Sequence, residues 1–364
     1  MRVALIIGSL FTFLMSGASS AHAFSISSGF TTGCHEMITS NAYKDFLVHL
    51  PVVARKLPED DIWRDLVDYL LRDFPEEAKE LDETRKFMLV SLLVGNRSPD
   101  TEGHSITNLN YLRQLHSDPS AEGQYAHSLR GPADDGQDGN AVAVAGTREM
   151  LRSLFHEADL AGKALPDDQI IDAPFYLDFY GQIQVPVFAP LYYIGRAAHC
   201  IQDSFAHMVR SQQDNLRKIV HVLNYAEAIG SEFDETRDGL AHSDSMDDCE
   251  NVETVDTGGG PNTVGAAIEA TTDLFIAYRE LVEGRDPEAV DHLLDKWVVY
   301  KPGCTLDDKF CDNGLWLDVV RQKQTGPYLG CSSSPSKMPM LPWIGIMAIL
   351  LFRRSRSRSP HRLL

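Results

Sequence analysis

Three side chains that can bind a metal ion follow one another at intervals of four residues: His199, Asp203 and His207. Four residues are just over one helical turn, so in a helix these side chains project from the same face. Imidazole nitrogens and carboxylate oxygens are ligands of cations such as Zn²⁺, and a carboxylate between two histidines can bridge two ions. A His and an Asp at this spacing also occur as a surface or capping pair, but the apolar run 185–201 carries a single Arg. The spacing therefore predicts a metal site on one helix face.

Further residues of the same chemistry occur at four other places. His35 begins one helical pattern, Asp100 follows a proline at the end of another, and His127 precedes an acidic, Gly-rich turn. His242 is followed by a group of acidic residues that includes Asp247. Taken singly, each also fits an ordinary role: a core or capping histidine, a turn residue, a surface ring or a solvated helix start. Their order along the chain, in company with the central motif, makes them candidate ligands.

The elements that must position these residues are predicted to be helices. Apolar residues recur at helical spacing, and strand-like alternation is scarce. The helical segments are predicted at 38–50, 62–74, 85–94, 142–160, 185–210, 216–229 and 264–281. Connections rich in Gly, Asp and Pro lie at 131–140, 165–173 and 247–262, and the last is either a flap or, more simply, a solvated connection. The pattern predicts an all-α fold with a single large helical domain.

Both ends of the chain have the features of targeting segments. Residues 1–23 combine an Arg, an apolar core and an Ala-His-Ala box, which predicts a signal peptide cleaved before Phe24 rather than a retained anchor. Residues 331–364 contain a Cys, a short apolar stretch and an Arg-rich end, similar to the sorting tails of some Gram-negative envelope proteins; a plain membrane anchor is the alternative. Between them we expect the helical domain at 24–285 and a Cys-containing segment at 286–330. The protein is therefore expected to be secreted or attached to the cell envelope.

The charge of the chain restricts its partners. The 364 residues carry a formal net charge of -19, which argues against a general nucleic-acid-binding surface. A nuclease whose site holds its own cations remains compatible, because bound metal ions reverse the local field. Six cysteines in an exported chain permit disulfides. Cys304 and Cys311 flank a short loop and are the expected pair, whereas the connectivity of the other cysteines is left open.

Taken together, these motifs resemble the bacterial zinc-dependent phospholipase C family, within the superfamily that also contains the S1/P1-type nucleases. The resemblance covers roughly residues 24–285. Its landmarks, in chain order, are His35 with the Ile-Thr that follows it, the Pro-Asp ending in Asp100, then His127, and the helix with Gly195, His199 and Asp203. The resemblance implies an all-helical fold of the zinc-dependent phospholipase C or P1 nuclease type, with up to three zinc ions at one end of a bundle.

The resemblance also implies which residues hold each ion. Phe24 would bind one ion through its α-amino and carbonyl groups, next to His35, and Asp203 would bridge to that ion. The second ion would be held by Asp203 together with Asp100, His127 and His199.

The third ion is where the chain departs from the family pattern. His207 would begin this site, but it follows the bridging aspartate at a shorter spacing than is usual in the family. We prefer His242 with Asp247 as the remaining ligands. His221 is the alternative, although Tyr225 occupies the place where the carboxylate after it should lie.

The activity implied by the resemblance is hydrolysis of a phosphodiester, with Asp100 orienting the attacking water or taking its proton. A phospholipid at a membrane surface is the expected substrate, cleaved to diacylglycerol and a phosphorylated head group. We expect a monomer and predict no specific protein partner.

Two other functions remain open. An S1/P1-like single-strand nuclease would use the same metal ions, and would need exposed aromatic rings for base stacking. The candidate rings are Tyr176, Phe179, Tyr180, Tyr192 and Tyr193, although aromatic residues just before a buried helix are usually core. A non-catalytic surface binding protein would hold one structural metal ion or none, and Cys34 and Cys200 next to candidate ligands are the feature that favours it.

Overall fold

The structure is a computed structural model, and it describes residues 33–43, 46–47, 50, 61–72, 74–136, 138–242 and 263–304. All of these residues belong to the compact unit 1–324. The predicted signal peptide, the C-terminal tail and the candidate ligands Phe24 and Asp247 lie outside the described residues.

Helices form most of the described chain. They are α1 Cys34–Ala42, α2 Asp61–Leu70, α3 Glu76–Lys79, α4 Glu83–Thr101, α5 Leu109–His116, α6 Ala121–Ala126, α7 Asp138–Lys163, α8 Ala189–Ala206, α9 Ala226–Ile229, α10 Glu235–Asp238, α11 Thr263–Val282 and α12 Ala289–Trp297. Short 3₁₀ turns lie at Pro166–Gln169 and Gly230–Glu232.

The all-α expectation is wrong, because the described residues also form two small sheets. Strands β1 Ile170–Leu177 and β2 Gly181–Phe188 form an antiparallel hairpin. Strands β3 Met208–Arg210, β4 Lys218–Val222 and β5 Val299–Tyr300 form the second sheet, with β3 antiparallel and β5 parallel to β4. The fold is therefore mixed, with helices predominating.

The misassigned segments explain the error. Residues 185–188 were expected to begin the central helix, but they end β2, where buried Val185 and Val187 alternate with less buried neighbours. Residues 216–229 were expected to be one helix, but their β-branched residues Ile219, Val220 and Val222 form β4. A short apolar run does not distinguish a buried strand from a buried helix by periodicity alone, and β-branched side chains favour the strand.

Close contact between α4 and α8 sets the frame of the molecule. A Cβ atom at Gly195 would lie 2.0 Å from the carbonyl oxygen of Leu92, and one at Gly95 would lie 2.0 Å from that of Tyr192. Only glycine fits at both positions, so the two backbones touch at this crossing. The crossing lies one to two helical turns before Asp100 on α4 and before His199 on α8, and so fixes how closely these two side chains approach.

Helices α1, α7 and α11 pack against α8, so its polar residues lie inside the protein. The main apolar core continues along these helices and under the hairpin. A smaller apolar cluster, which includes Leu129, Val209 and Leu223, lies beneath the second sheet. The central helix is thus buried along its whole length, apart from Tyr193 and Arg196.

The cysteines are in two chemical states. Cys34 and Cys304 are each disulfide-bonded, while Cys200 is a free, buried thiol. Burial raises the pKa of Cys200 to about 12, so the thiol stays protonated. Cys311, the expected partner of Cys304, lies outside the described residues. Among the helices of the described segments, none has both the length and the apolar character to cross a membrane.

Candidate metal centre

Three elements bring four buried donors together. His199 and Asp203 lie one turn apart on α8, Asp100 lies in the last turn of α4, and His127 caps the C-terminus of α6. One ligand atom from each of these residues lies within 4.8 Å of the other three. This Asp/His/His/Asp group can bind a metal ion.

Local sequence explains why Asp100 lies at the end of its helix. Pro99 is within the last turn, and the chain leaves the helix through Glu102 and Gly103, both with positive φ. A Cβ atom at Gly103 would lie 2.6 Å from the side chain of Pro174, so this turn packs closely against β1. The exit of α4 is therefore fixed, and Asp100 is held towards α8.

Asp203 presents its two carboxylate oxygens to different histidines. Its Oδ2 lies 2.9 Å from His199 Nε2 and 3.1 Å from His127 Nδ1. Its Oδ1 lies 3.2 Å from Nε2 of His35, on α1. The carboxylate thus lies between two groups of donors, which is the arrangement that can bridge two ions.

Asp100 repeats this arrangement at longer distances. Its Oδ1 lies 3.5 Å from His199 Nε2 and 3.7 Å from His127 Nδ1, and its Oδ2 lies 3.8 Å from His35 Nε2. The two carboxylates therefore face the same histidines. We call His35, Asp100, His127, His199 and Asp203 the Asp/His cluster.

Two observations test whether the Asp/His cluster fits a cation. Asp100 Oδ2 and His199 Nδ1 are buried, and they make no hydrogen bond with any part of the chain that the structure describes. The two carboxylates, Asp100 and Asp203, also lie close together, and each has a relative exposure of 2% or less. Buried charges of one sign are costly unless a positive charge compensates them. A divalent cation would supply that charge, so the donor set fits one.

Without a metal ion, protons compensate part of the charge. Burial alone would lower the pKa of His35, but Asp203 and Asp100 raise it to about 9. Burial alone would raise the pKa of Asp100, but the positive charges of His199 and His35 and a hydrogen bond from His116 lower it to about 2. Burial lowers the pKa of His127 to about 4. Protons and metal ions therefore compete for the same cluster.

The remaining predicted ligands lie at one side of the cluster. His207 directly follows α8, with Nδ1 3.9 Å from Asp203 Oδ2 and 2.5 Å from the carbonyl oxygen of His127. The ring of His242 lies 4.7 Å from that of His207. His221 is buried on β4, opposite Val209. The structure thus places His242 next to His207.

Sequence reasoning missed His116. This residue ends α5, and its Nε2 lies 3.3 Å from Asp100 Oδ1 while its Nδ1 lies 2.7 Å from the carbonyl oxygen of Leu112. A histidine in the last turn of a short helix usually needs no explanation beyond the helix dipole. The only sequence signal was its position between two candidate ligands, Asp100 and His127.

A buried ion pair next to the cluster was also missed. Arg97 Nη1 donates to Glu36 Oε1 at 2.6 Å, and Arg97 Nη2 donates to the hydroxyl of Tyr69 at 3.2 Å. Glu36 directly follows His35, and Arg97 lies three residues before Asp100. The pair therefore joins α1 to α4 close to His35 and Asp100.

The side chains next to the cluster that reach solvent indicate where a substrate can approach. His116, Tyr225 and His242 are partly exposed, and their rings lie close to one another. The ring centroid of His116 is 4.8 Å from that of buried His127. Among the described residues, these rings connect the cluster to solvent.

Cysteine is not part of the Asp/His cluster. Cys200 Sγ points towards the carbonyl oxygen of Tyr125, 3.5 Å away, and lies near the hydroxyl of Ser128. Cys34, next to His35, is disulfide-bonded. Structural zinc sites typically use several thiolates. Within the described residues the donor set is instead made of nitrogen and oxygen.

Comparison of the chain with protein-family models, with curated proteins and with solved structures finds no match.

Proposed function

We propose that this chain is a zinc-dependent phosphodiesterase that hydrolyses phospholipids outside the cytoplasm. The observation that carries this proposal is the pair of buried carboxylates, each of which presents one oxygen to His35 and the other to His127 and His199. A nitrogen and oxygen donor set of this kind suits a borderline divalent cation. Its two sides can each hold an ion, which is the arrangement used in phosphodiester hydrolysis.

The residues of the cluster have distinct roles in this proposal. Asp203 would bind metal ions through both carboxylate oxygens, together with His127 and His199 on one side and with His35 on the other. Bound zinc ions would neutralise charge on the phosphoryl group and lower the pKa of water so that hydroxide forms near neutral pH. Asp100 Oδ2, which has no hydrogen-bond partner among the described residues, would orient the attacking water and receive its proton.

A third ion belongs to the same proposal. His207 and His242 lie side by side at the partly exposed edge of the cluster, with Tyr225 next to them. Phe24 and Asp247, the other ligands expected from the family resemblance, lie outside the described residues. A phosphodiester approaching past His116 and His242 would reach this edge first.

Charge and aromatic placement support a phospholipid rather than a nucleic acid. The chain carries a net charge of -19, which repels a polyanion. Of the candidate stacking rings, Tyr192 is buried and its hydroxyl lies 2.8 Å from that of Ser98, so it belongs to the core. Phe179 and Tyr180 are exposed, but they lie at the tip of the β1–β2 hairpin. The nuclease function therefore remains the alternative outcome of the test.

The test begins with the metal content of the processed, secreted protein, measured by elemental mass spectrometry. Two or three zinc ions per chain are expected, together with hydrolysis of phosphatidylcholine. His199→Gln should lose metal and activity, whereas His156→Gln, an exposed histidine on α7, should lose neither. One ion or none in protein never exposed to chelator would overturn the multi-ion mechanism. Full metal content with cleavage of single-stranded DNA and none of phospholipid would replace the substrate.

A further inference from the structure

Gln202 lies on α8 directly before Asp203, is fully buried, and uses its whole amide group in hydrogen bonds. Its Oε1 lies 2.7 Å from His35 Nδ1 and accepts from Asn96 Nδ2 at 3.2 Å. Its Nε2 donates to the hydroxyls of Thr39, at 3.0 Å, and Thr271, at 3.3 Å. One side chain thus joins α1, α4, α8 and α11 next to the Asp/His cluster.

The orientation of this amide follows from Thr271. The Thr271 hydroxyl donates its one proton to the carbonyl oxygen of Ala267, at 2.8 Å, so towards Gln202 it can only accept. With the Thr271 proton on the carbonyl oxygen of Ala267, the Gln202 atom facing Thr271 is the NH₂ group, and the atom facing His35 is the oxygen. The reverse orientation would place two acceptors against each other unless this hydroxyl turned towards Gln202.

The orientation of the amide in turn fixes the histidine. An oxygen at 2.7 Å requires a proton on His35 Nδ1. In the neutral imidazole the lone pair then lies on Nε2. That nitrogen faces Asp203 Oδ1 at 3.2 Å and Asp100 Oδ2 at 3.8 Å. Thr39, one turn after His35 on α1, is held by the same amide, so the helix cannot rotate to turn the ring away.

We propose that Gln202 is a positioning residue that holds His35 in the Nδ1–H form and directs Nε2 towards the metal ion between Asp100 and Asp203. This inference rests on the metal centre of the proposed function, but not on its substrate. Partners of this kind typically change metal affinity about 10- to 100-fold when they are removed.

Two substitutions at Gln202 distinguish positioning from packing. Gln202→Glu keeps an oxygen that accepts from His35 Nδ1, and its second oxygen can accept from the Thr39 and Thr271 hydroxyls once these turn towards it. Gln202→Met keeps the volume but has no such acceptor. We expect Gln202→Glu to retain zinc affinity within about threefold and Gln202→Met to lose about 10- to 100-fold, both measured by competition with a chromophoric chelator. If Gln202 only fills space, the order reverses, because Met is tolerated and a buried carboxylate is not.

A second pair of variants covers the case in which position 202 does not tolerate change. Thr271→Val removes the acceptor that sets the amide orientation. Thr272→Val removes a neighbouring hydroxyl with the same bond to the helix backbone, 2.8 Å from the carbonyl oxygen of Ile268, and serves as the control. A loss of zinc affinity in Thr271→Val alone is expected. Equal affinities in the two variants would overturn the proposal.

Nitrogen NMR of the metal-free protein gives a readout that needs no bound metal. The His35 signal, identified by its absence in His35→Gln, should show a protonated Nδ1 and an unprotonated Nε2 at pH 10, above its pKa of about 9. The opposite tautomer would overturn the role of Gln202. If the wild-type protein binds no zinc, the proposed function fails, while this measurement still decides the orientation of His35.

Discussion

Two centres of buried charge lie on either side of the end of α8, and they are built differently. The Asp/His cluster places carboxylates and imidazoles against one another. Arg210 on β3 is equally buried, but its guanidinium donates to the carbonyl oxygens of Ser204, Leu216 and Trp297 at 3.1, 2.9 and 2.8 Å. It also donates to the Ser204 hydroxyl at 2.6 Å and lies 4.0 Å from the ring centroid of Phe205.

The two centres differ in whether the protein itself supplies the hydrogen-bond partners of the buried polar groups. Burial lowers the pKa of Arg210 to about 9, and no carboxylate of the described residues contributes to that pKa. Each of its three nitrogens nevertheless donates to an acceptor that belongs to the fold. In the Asp/His cluster, Asp100 Oδ2 lies 3.8 Å from His35 Nε2 and makes no hydrogen bond among the described residues. Buried polar groups are normally hydrogen-bonded, so a buried carboxylate oxygen without a hydrogen bond among several imidazoles indicates a ligand. The Arg210 centre therefore stabilises the fold, whereas the Asp/His cluster has the features of a ligand-binding site.

Substitution of the bridging carboxylate should have the largest effect. Asp203→Asn removes a charge that faces both sides of the cluster, so we expect loss of zinc and a fall in hydrolysis of at least about 1000-fold. Both proteins are compared below their unfolding temperatures, because Asp203 also compensates the charge of protonated His35 in the metal-free protein. Elemental mass spectrometry and a phosphatidylcholine assay measure these effects, with Asp178→Asn on the exposed hairpin turn as control. Full zinc content without activity would make Asp203 a catalytic group and not a ligand.

Substitution at the other centre should do the reverse. Arg210→Met leaves several carbonyl oxygens without donors, so we expect the free energy of unfolding to fall by about 3 kcal/mol. The folded protein should still bind zinc with unchanged affinity. Thermal unfolding and zinc titration below the transition measure the two effects. Arg217→Met, at an exposed arginine over the ring of Trp297, should cost less than about 0.5 kcal/mol. A loss of zinc affinity in Arg210→Met would contradict the separation of the two centres.

Removal of the metal ion tests the same separation without mutation. A ligand that binds only the folded state at 100 times its Kd stabilises by about 2.7 kcal/mol. Chelation should therefore lower the melting temperature of the wild-type protein and of Arg210→Met alike. It should not lower that of Asp203→Asn. A chelator effect that persists in Asp203→Asn would place the ion elsewhere.

The sequence predicted the part of the centre that lies on one helix. His199 and Asp203 are recognised from their spacing, because a four-residue interval fixes a shared face once the segment is helical. His35, Asp100 and His127 were weak candidates by themselves and gained weight only from a family resemblance. Their approach to α8 depends on contacts between distant segments, such as the glycine crossing of α4 with α8.

The parts that were missed have physical reasons. Residues 185–188, the end of the hairpin, were assigned to the central helix because they are apolar on both faces. The spacing of His116 and Gln202 gives no signal. Each acts through one hydrogen bond on a residue of another helix, His116 on Asp100 and Gln202 on His35. The Arg210 centre was invisible, because an arginine in sequence is usually a surface residue.

The pH should change the zinc affinity of the Asp/His cluster. The pKa of His35 is raised from 6.5 to about 9 in the metal-free protein, so its stabilising contribution is full below pH 6.5 and is lost as pH rises through 9. Zinc must displace that proton, so its affinity should rise by up to about tenfold from pH 7 to pH 8. Chelator competition at each pH measures the slope, which should be smaller in His35→Gln. A slope unchanged in that variant would remove His35 from the centre.

The smallest effect is expected for the apolar ring of Phe179 at the hairpin tip. This ring is fully exposed, and its backbone has a φ of 71°, a left-handed conformation that costs a residue with a Cβ roughly 1 kcal/mol. Phe179→Gly should therefore raise the free energy of unfolding by up to about 1 kcal/mol and leave zinc content unchanged. If the substrate lies in a membrane, the same change should slow hydrolysis of phosphatidylcholine vesicles but not of a soluble phosphodiester, because an exposed aromatic ring favours the interface. Equal slowing of both substrates would show that the hairpin acts on the metal centre itself. Such an effect has a route through the structure, because the ring of Phe175 on β1 lies 5.6 Å from the guanidinium of Arg97. Arg97 in turn pairs with Glu36, the residue after His35.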